Sequence, residues 1–101
     1  MAVERTLLHF PLDPASRQVR LALGEKRLPF EDHVIRYWER PTEFTALNPS
    51  GLTPVLVEEE GSHRLILCES RAILDHLEEQ HPEPPLLGRE ADERAEARRR
   101  M

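Results

Sequence analysis

The chain has 101 residues, 39% of them hydrophobic and 33% charged, with a net charge of −5. That is the size of one domain with a modest core, burying roughly two-thirds of the surface its unfolded chain exposes. The acidic balance argues against a nucleic-acid surface, and no apolar run approaches the ~18 residues of a membrane span.

Residues 5–10 are apolar and closed by Pro11, the pattern of a short buried strand. Asp13-Pro14 then opens a helix, because Asp suits the N-cap and Pro the first helical position. Ala15, Val19, Ala22 and Leu23 recur at helical spacing as an apolar stripe, which places Arg17, Arg20 and Lys26 on the other side. Pro29 lies just past the helix end, and residues 30–35 read as a second strand. Strand, helix and strand within about 30 residues form a βαβ unit with parallel strands. Residues 37–47 are less regular, with Pro41 opening a short helix, and Asn48-Pro49-Ser50-Gly51 is dense in turn formers.

Val55-Leu56-Val57 and Leu65-Ile66-Leu67, joined by a turn around Gly61, predict an antiparallel hairpin. A second clear helix starts at Glu69 and turns Ala72, Ile73, Leu74 and Leu77 to the core. Pro82, Pro84 and Pro85 stop it. The order β-α-β then β-β-α predicts an α/β fold, a mixed sheet flanked by helices. Residues 1–81 are expected to form that domain, 82–88 a stiff Pro-rich linker, and 89–101 the first part of a truncated helical domain. The tail carries five Arg against four acids. It reads either as a binding patch or as a solvated helix face, since Glu90, Arg94 and Arg98 are spaced four apart.

Met1 to Arg5 lacks the apolar region of a signal peptide, and the single Cys68 forms no internal disulfide, so a cytoplasmic protein is expected. Cys68 ends a strand, where a small buried hydrophobe is expected. The five His are scattered without paired ligand spacing, so no metal is expected, and no Gly-rich phosphate loop is present.

Three stretches together resemble the N-terminal, thioredoxin-like domain of the glutathione S-transferases: FPLDPASRQVR over 10–20, NPSGLTPVL over 48–56 and CESRAILDHL over 68–77. The resemblance covers about residues 5–88 and implies a four-stranded mixed sheet, a glutathione site here, and an electrophile site mostly in an all-helical second domain. It also implies a cis bond before Pro54, with the Thr53 backbone pairing with the cysteinyl part of glutathione. From the residues alone, Pro54 serves equally as a trans proline starting a strand. The same resemblance gives Glu69 and Ser70 to the γ-glutamyl end, its carboxylate meeting the free amides of a helix start. An ordinary N-terminal cap explains both residues as well. For the glycyl carboxylate, Arg36, Trp38 and Arg40 are all candidates by position, and nothing in the sequence separates them.

Members of this family lower the pKa of the glutathione thiol so that the thiolate attacks an electrophile. Lowering a pKa of about 8.5 by two units needs about 2.7 kcal/mol, within reach of one charge-assisted hydrogen bond and a helix N-terminus. The position matching the family's usual Ser holds Asp13, whose repulsion of a thiolate at about 5 Å is roughly 3 kcal/mol. Asp13 is therefore expected to cap its own helix, and Ser16 is the expected catalytic hydroxyl, with Arg17 beside it as a possible offset to Asp13. His9 is expected in the core. The expected function is a glutathione S-transferase, with glutathione as co-substrate, a small electrophile as partner substrate, and a homodimer in the complete protein. The alternative is a non-catalytic relative that binds protein partners, as stringent starvation proteins and elongation factor subunits of this fold do.

Overall fold

The structure, a computed structural model, describes residues 3–83. Most of the expected linker, the helix over 91–101 and the Arg-rich tail lie outside the described residues.

The elements are β1 (Glu4–His9), α1 (Pro14–Glu25), β2 (Glu31–Val34), α2 (Thr42–Leu47), β3 (Val55–Glu60), β4 (His63–Cys68) and α3 (Ser70–Gln80), with a 3-10 turn over Tyr37–Glu39 before α2. The strands make one sheet in the order β2-β1-β3-β4. β2 runs parallel to β1, and β3 runs antiparallel to both of its neighbours. This is the mixed thioredoxin-like sheet that the element order and the resemblance imply.

Strand alternation divides the core between the two faces of the sheet. Leu7 and Leu56, paired across β1 and β3, meet Val19, Ala22 and Leu23 of α1 and Ile73, Leu74 and Leu77 of α3 on one face. Val55 and Val57 meet Phe44 of α2 on the other, with Leu8, Ile66 and Cys68 packed around them. Cys68 is half-buried there, and burial pushes its thiol pKa up, with the Glu69 charge adding to the effect.

Four details differ from the sequence expectation. β2 spans only Glu31–Val34 and is exposed throughout, because it is the outer strand. The hairpin strands extend to Glu60 and start at His63, so backbone pairing continues well past the apolar triplets. Ala72 faces solvent, whereas Glu78, one turn past Leu74, is buried. Lys26 is not on a solvated face: at the C-cap of α1 it is 7% exposed, with its ammonium under the end of α3. Its Nζ donates to Glu78 Oε1 at 3.1 Å and to the His81 carbonyl oxygen. Periodicity assigns no face to a residue past the last turn, and the long aliphatic stem carries the charge into a polar gap between helices.

That gap continues along the sheet. Arg5 Nε donates to Glu58 Oε2 at 2.7 Å, Glu58 Oε1 lies 2.7 Å from His76 Nε2, and Arg5 Nη2 lies 3.1 Å from His81 Nε2. A guanidinium only donates, so this contact requires an unprotonated His81 Nε2. Burial, and next the Arg5 charge, pushes the His81 pKa below its usual 6.5, while burial and Arg20 do the same for His9. Both imidazoles thus hold fewer protons folded than unfolded. Their contribution to stability is complete above about 6.5 and is lost as pH falls toward their lower folded values. Thermal unfolding is expected to move to lower temperature as pH falls from 7.5 to 5.5, and His9→Leu is expected to flatten the dependence. A melting temperature that rises on acidification would contradict this assignment.

Candidate functional site at the helix starts

Strand directions gather three segments at one end of the sheet. β1 ends at His9 before α1, β3 begins at Val55 after the Thr53–Pro54 bond, and β4 ends at Cys68 before α3. Leu8 pairs with Val55 and Val55 with Cys68, so the three segments adjoin. The Thr53–Pro54 peptide bond is cis. Thr53 is half-buried and Pro54 is buried.

The start of α1 is closed by its own carboxylate. Asp13 is the N-cap, with extended backbone, and its Oδ1 accepts from the Ala15 amide at 3.2 Å. Its Oδ2 accepts from the Ser16 hydroxyl at 2.9 Å and from the Thr53 hydroxyl at 2.8 Å. Ser16 is fully buried, and its Oγ in turn accepts from the Phe10 amide at 3.3 Å. The Ser16 proton thus points at a carboxylate and not outward. Arg17 is exposed and forms no ion pair with Asp13. His9 is 1% exposed, with Nε2 at 3.5 Å from Asp32 Oδ2.

The start of α3 is treated in the opposite way. Glu69 is its N-cap but makes no side-chain capping bond. Glu69 is exposed and has φ 74°, a left-handed value that non-glycine residues adopt rarely and that concentrates at ligand-holding positions. Ser70 is half-buried and Arg71 is exposed. The first intrahelical bond runs from Ile73 N to Glu69 O, so the amides before it have no partner within the helix.

The irregular segment now divides its three candidates. Trp38 belongs to an aromatic cluster, 4.8 Å from Phe10 and 5.2 Å from Tyr37 in edge-to-face contacts, and is 51% exposed. Arg36 lies over the Trp38 ring at 5.6 Å and pairs with Glu39 at 3.7 Å. Arg40, with φ 48°, instead brings its guanidinium to Gly51, in the loop that leads to Thr53. Arg40 is therefore the cation that adjoins this loop.

Asn48 builds the loop itself. Its Nδ2 donates to the Leu52 carbonyl at 2.8 Å, and its Oδ1 accepts from the Ser50 amide and hydroxyl at 3.3 and 2.9 Å. Gly51 has φ 73°, and an added Cβ would lie 2.7 Å from Arg40 Nη1. Gly51→Ala is expected to cost about 1–2 kcal/mol for the backbone alone and to displace Arg40. A thermal melt unchanged within error would refute that cost.

Thr53, Pro54, Glu69 and Ser70 thus sit at one end of the sheet, with Arg40 against the same loop and Ser16 beneath it. Two features of this site were not read from the sequence, the residue Asn48 and one long-range bond. Asn48 carried the signal of a turn-forming Asn before Pro-Ser-Gly, whereas the bond between Thr53 and Asp13 crosses 40 residues and has no local signal. Among the described residues, no group of three or more His, Cys, Asp or Glu could hold a metal ion, and no helix is long and apolar enough to cross a membrane.

The family model for the glutathione S-transferase N-terminal domain matches residues 7–85. FtsZ-localized protein A of Caulobacter vibrioides is 71% identical over 99 residues, covering 98% of this chain and 43% of the relative. The solved structure of FzlA from C. crescentus superposes with a TM-score of 0.92 at 71% identity, covering 95% of this chain and 42% of that one. A glutathione S-transferase from Rhodospirillum rubrum F11 has a TM-score of 0.85 at 48% identity, covering 94% and 41%. Maleylacetoacetate isomerase from Anaeromyxobacter dehalogenans, solved with glutathione in its active site, has a TM-score of 0.82 at 33% identity, covering 97% and 47%. The chain thus spans less than half the length of each of these proteins.

Proposed function

The chain belongs to the glutathione S-transferase family as its N-terminal domain, and on that premise we propose that it is part of a non-conjugating, partner-binding member that works with FtsZ in the cytoplasm. The observation that carries this reading is the orientation of Ser16. It is the only hydroxyl in the loop and first turn over residues 10–16, and its proton is given to Asp13 at 2.9 Å. The thiol-facing position then offers a carboxylate where activation needs a donor. The 71% identity to FtsZ-localized protein A, extending over 98% of the chain, supports FtsZ as the partner.

A second reading keeps the enzyme, because the open start of α3 and the φ of 74° at Glu69 suit a bound peptide carboxylate. In that reading the Thr53 backbone, beside Pro54, pairs with the cysteinyl part of glutathione. Glu69 and Ser70 take the γ-glutamyl end, Arg40 takes the glycyl carboxylate and Trp38 walls the groove. Ser16 assists the thiol as it attacks a small electrophile. In both readings residues 1–81 are the domain, 82–88 the linker and 89–101 the opening of a helical second domain that completes a homodimer.

Sedimenting the full-length protein with assembled FtsZ filaments tests the choice. Saturable co-sedimentation, unaltered by millimolar glutathione, is expected. Failure to co-sediment, together with protein-dependent thioether formation from glutathione and a reactive aryl halide, would select the second reading.

A further inference from the structure

The two helices that start at this end of the sheet differ in one respect: α3 has no side-chain cap, and α1 carries one that is charged. Three donors converge on the Asp13 carboxylate: the Ala15 amide, the Ser16 hydroxyl and the Thr53 hydroxyl. A backbone amide at a helix start and two hydroxyls are the groups that would otherwise stabilise an external anion, sulfur included. Asp13 Oδ2 lies 2.8 Å from Thr53 Oγ1, on the residue whose backbone would receive a peptide ligand.

We infer that Asp13 is a specificity-determining residue, an internal anion that occupies the place of a thiolate at the start of α1. The groove therefore discriminates by charge along its length. At α3 it accepts a carboxylate, and at α1 it accepts only a neutral group, so a thiol peptide laid along Thr53 keeps its proton. A neutral thiol or thioether is accepted there and a thiolate is not. The inference deepens the non-conjugating reading proposed above by giving it a residue-level cause.

The test reads thiolate directly, by its ultraviolet absorbance near 240 nm, in mixtures of glutathione with the full-length protein between pH 6 and 9. Wild type is compared with Asp13→Ser and Asp13→Asn. Serine and asparagine both cap helices well, so α1 keeps its start, and thermal melts verify it. Wild type is expected to produce no thiolate beyond that of free glutathione. Asp13→Ser is expected to shift the bound thiol's profile down by at least one pH unit, a tenfold gain in thiolate near neutrality, with Asp13→Asn shifting it in the same direction. Thiolate formation by wild type would overturn the inference. So would folded Asp13→Ser and Asp13→Asn proteins that ionise no glutathione, whether they bind it or not. Co-sedimentation with FtsZ is measured on the same samples. Its absence counts against the partner reading and leaves the thiolate result to be judged by itself.

Discussion

Glu78→Leu is expected to destabilise the folded domain by about 3–5 kcal/mol, although it replaces a charged residue by an apolar one in a mostly buried position. The side chains of Lys26 and Glu78 are only 0% and 10% exposed, and they meet at 3.1 Å. Without Glu78 the Lys26 ammonium stays enclosed between α1 and α3 and loses the carboxylate it meets at 3.1 Å. Lys26→Met alone is expected to destabilise as well, because it removes the cation that Glu78 meets at 3.1 Å. The double variant Lys26→Met/Glu78→Leu should recover most of the loss, because two apolar side chains of similar volume can replace a buried pair at little net cost. Urea unfolding of the four proteins measures the coupling. Additive single losses would show that the two charges do not act as a pair.

Leu7→Ala is expected to cost about 2–5 kcal/mol. Leu7 lies at 0% exposure on a central strand, in the cluster that joins the sheet to both α1 and α3. Its loss leaves a cavity at the junction of three elements, where collapse of one neighbour draws it off another. Leu65 makes the control. It is equally apolar but 42% exposed on the outer strand β4, and Leu65→Ala is expected to stay within about 0.5 kcal/mol of wild type. Equal losses at the two positions would contradict the division of the core described above.

The elements that sequence located best are those whose signals are local. Asp13 and Pro14 mark the start of α1 because a cap and a preset φ act within one turn, and Asp13 does bond the Ala15 amide. Val19, Ala22 and Leu23 are buried as their spacing requires. The features that escaped are tertiary. Lys26 lies where periodicity ends, and its partner Glu78 is 52 residues away. Arg36, Trp38 and Arg40 are equivalent along the chain and are separated only when Trp38 packs on Phe10 and Arg40 reaches Gly51. The cap at Asp13 was legible, but its hold on Thr53 was not. Ser16 shows the consequence: a small hydroxyl in a first turn is available to a ligand by sequence, and only its hydrogen bonds show where the proton is directed.

Those bonds connect packing to chemistry. Asp13 ties the loop before α1 to Ser16 and Thr53, and it is the carboxylate proposed above to oppose a sulfur anion. The rate of thioether formation from glutathione and a reactive aryl halide, measured on the full-length protein, tests this most directly. No acceleration over the uncatalysed reaction is expected. A saturable, protein-dependent rate that Ser16→Ala abolishes would contradict it.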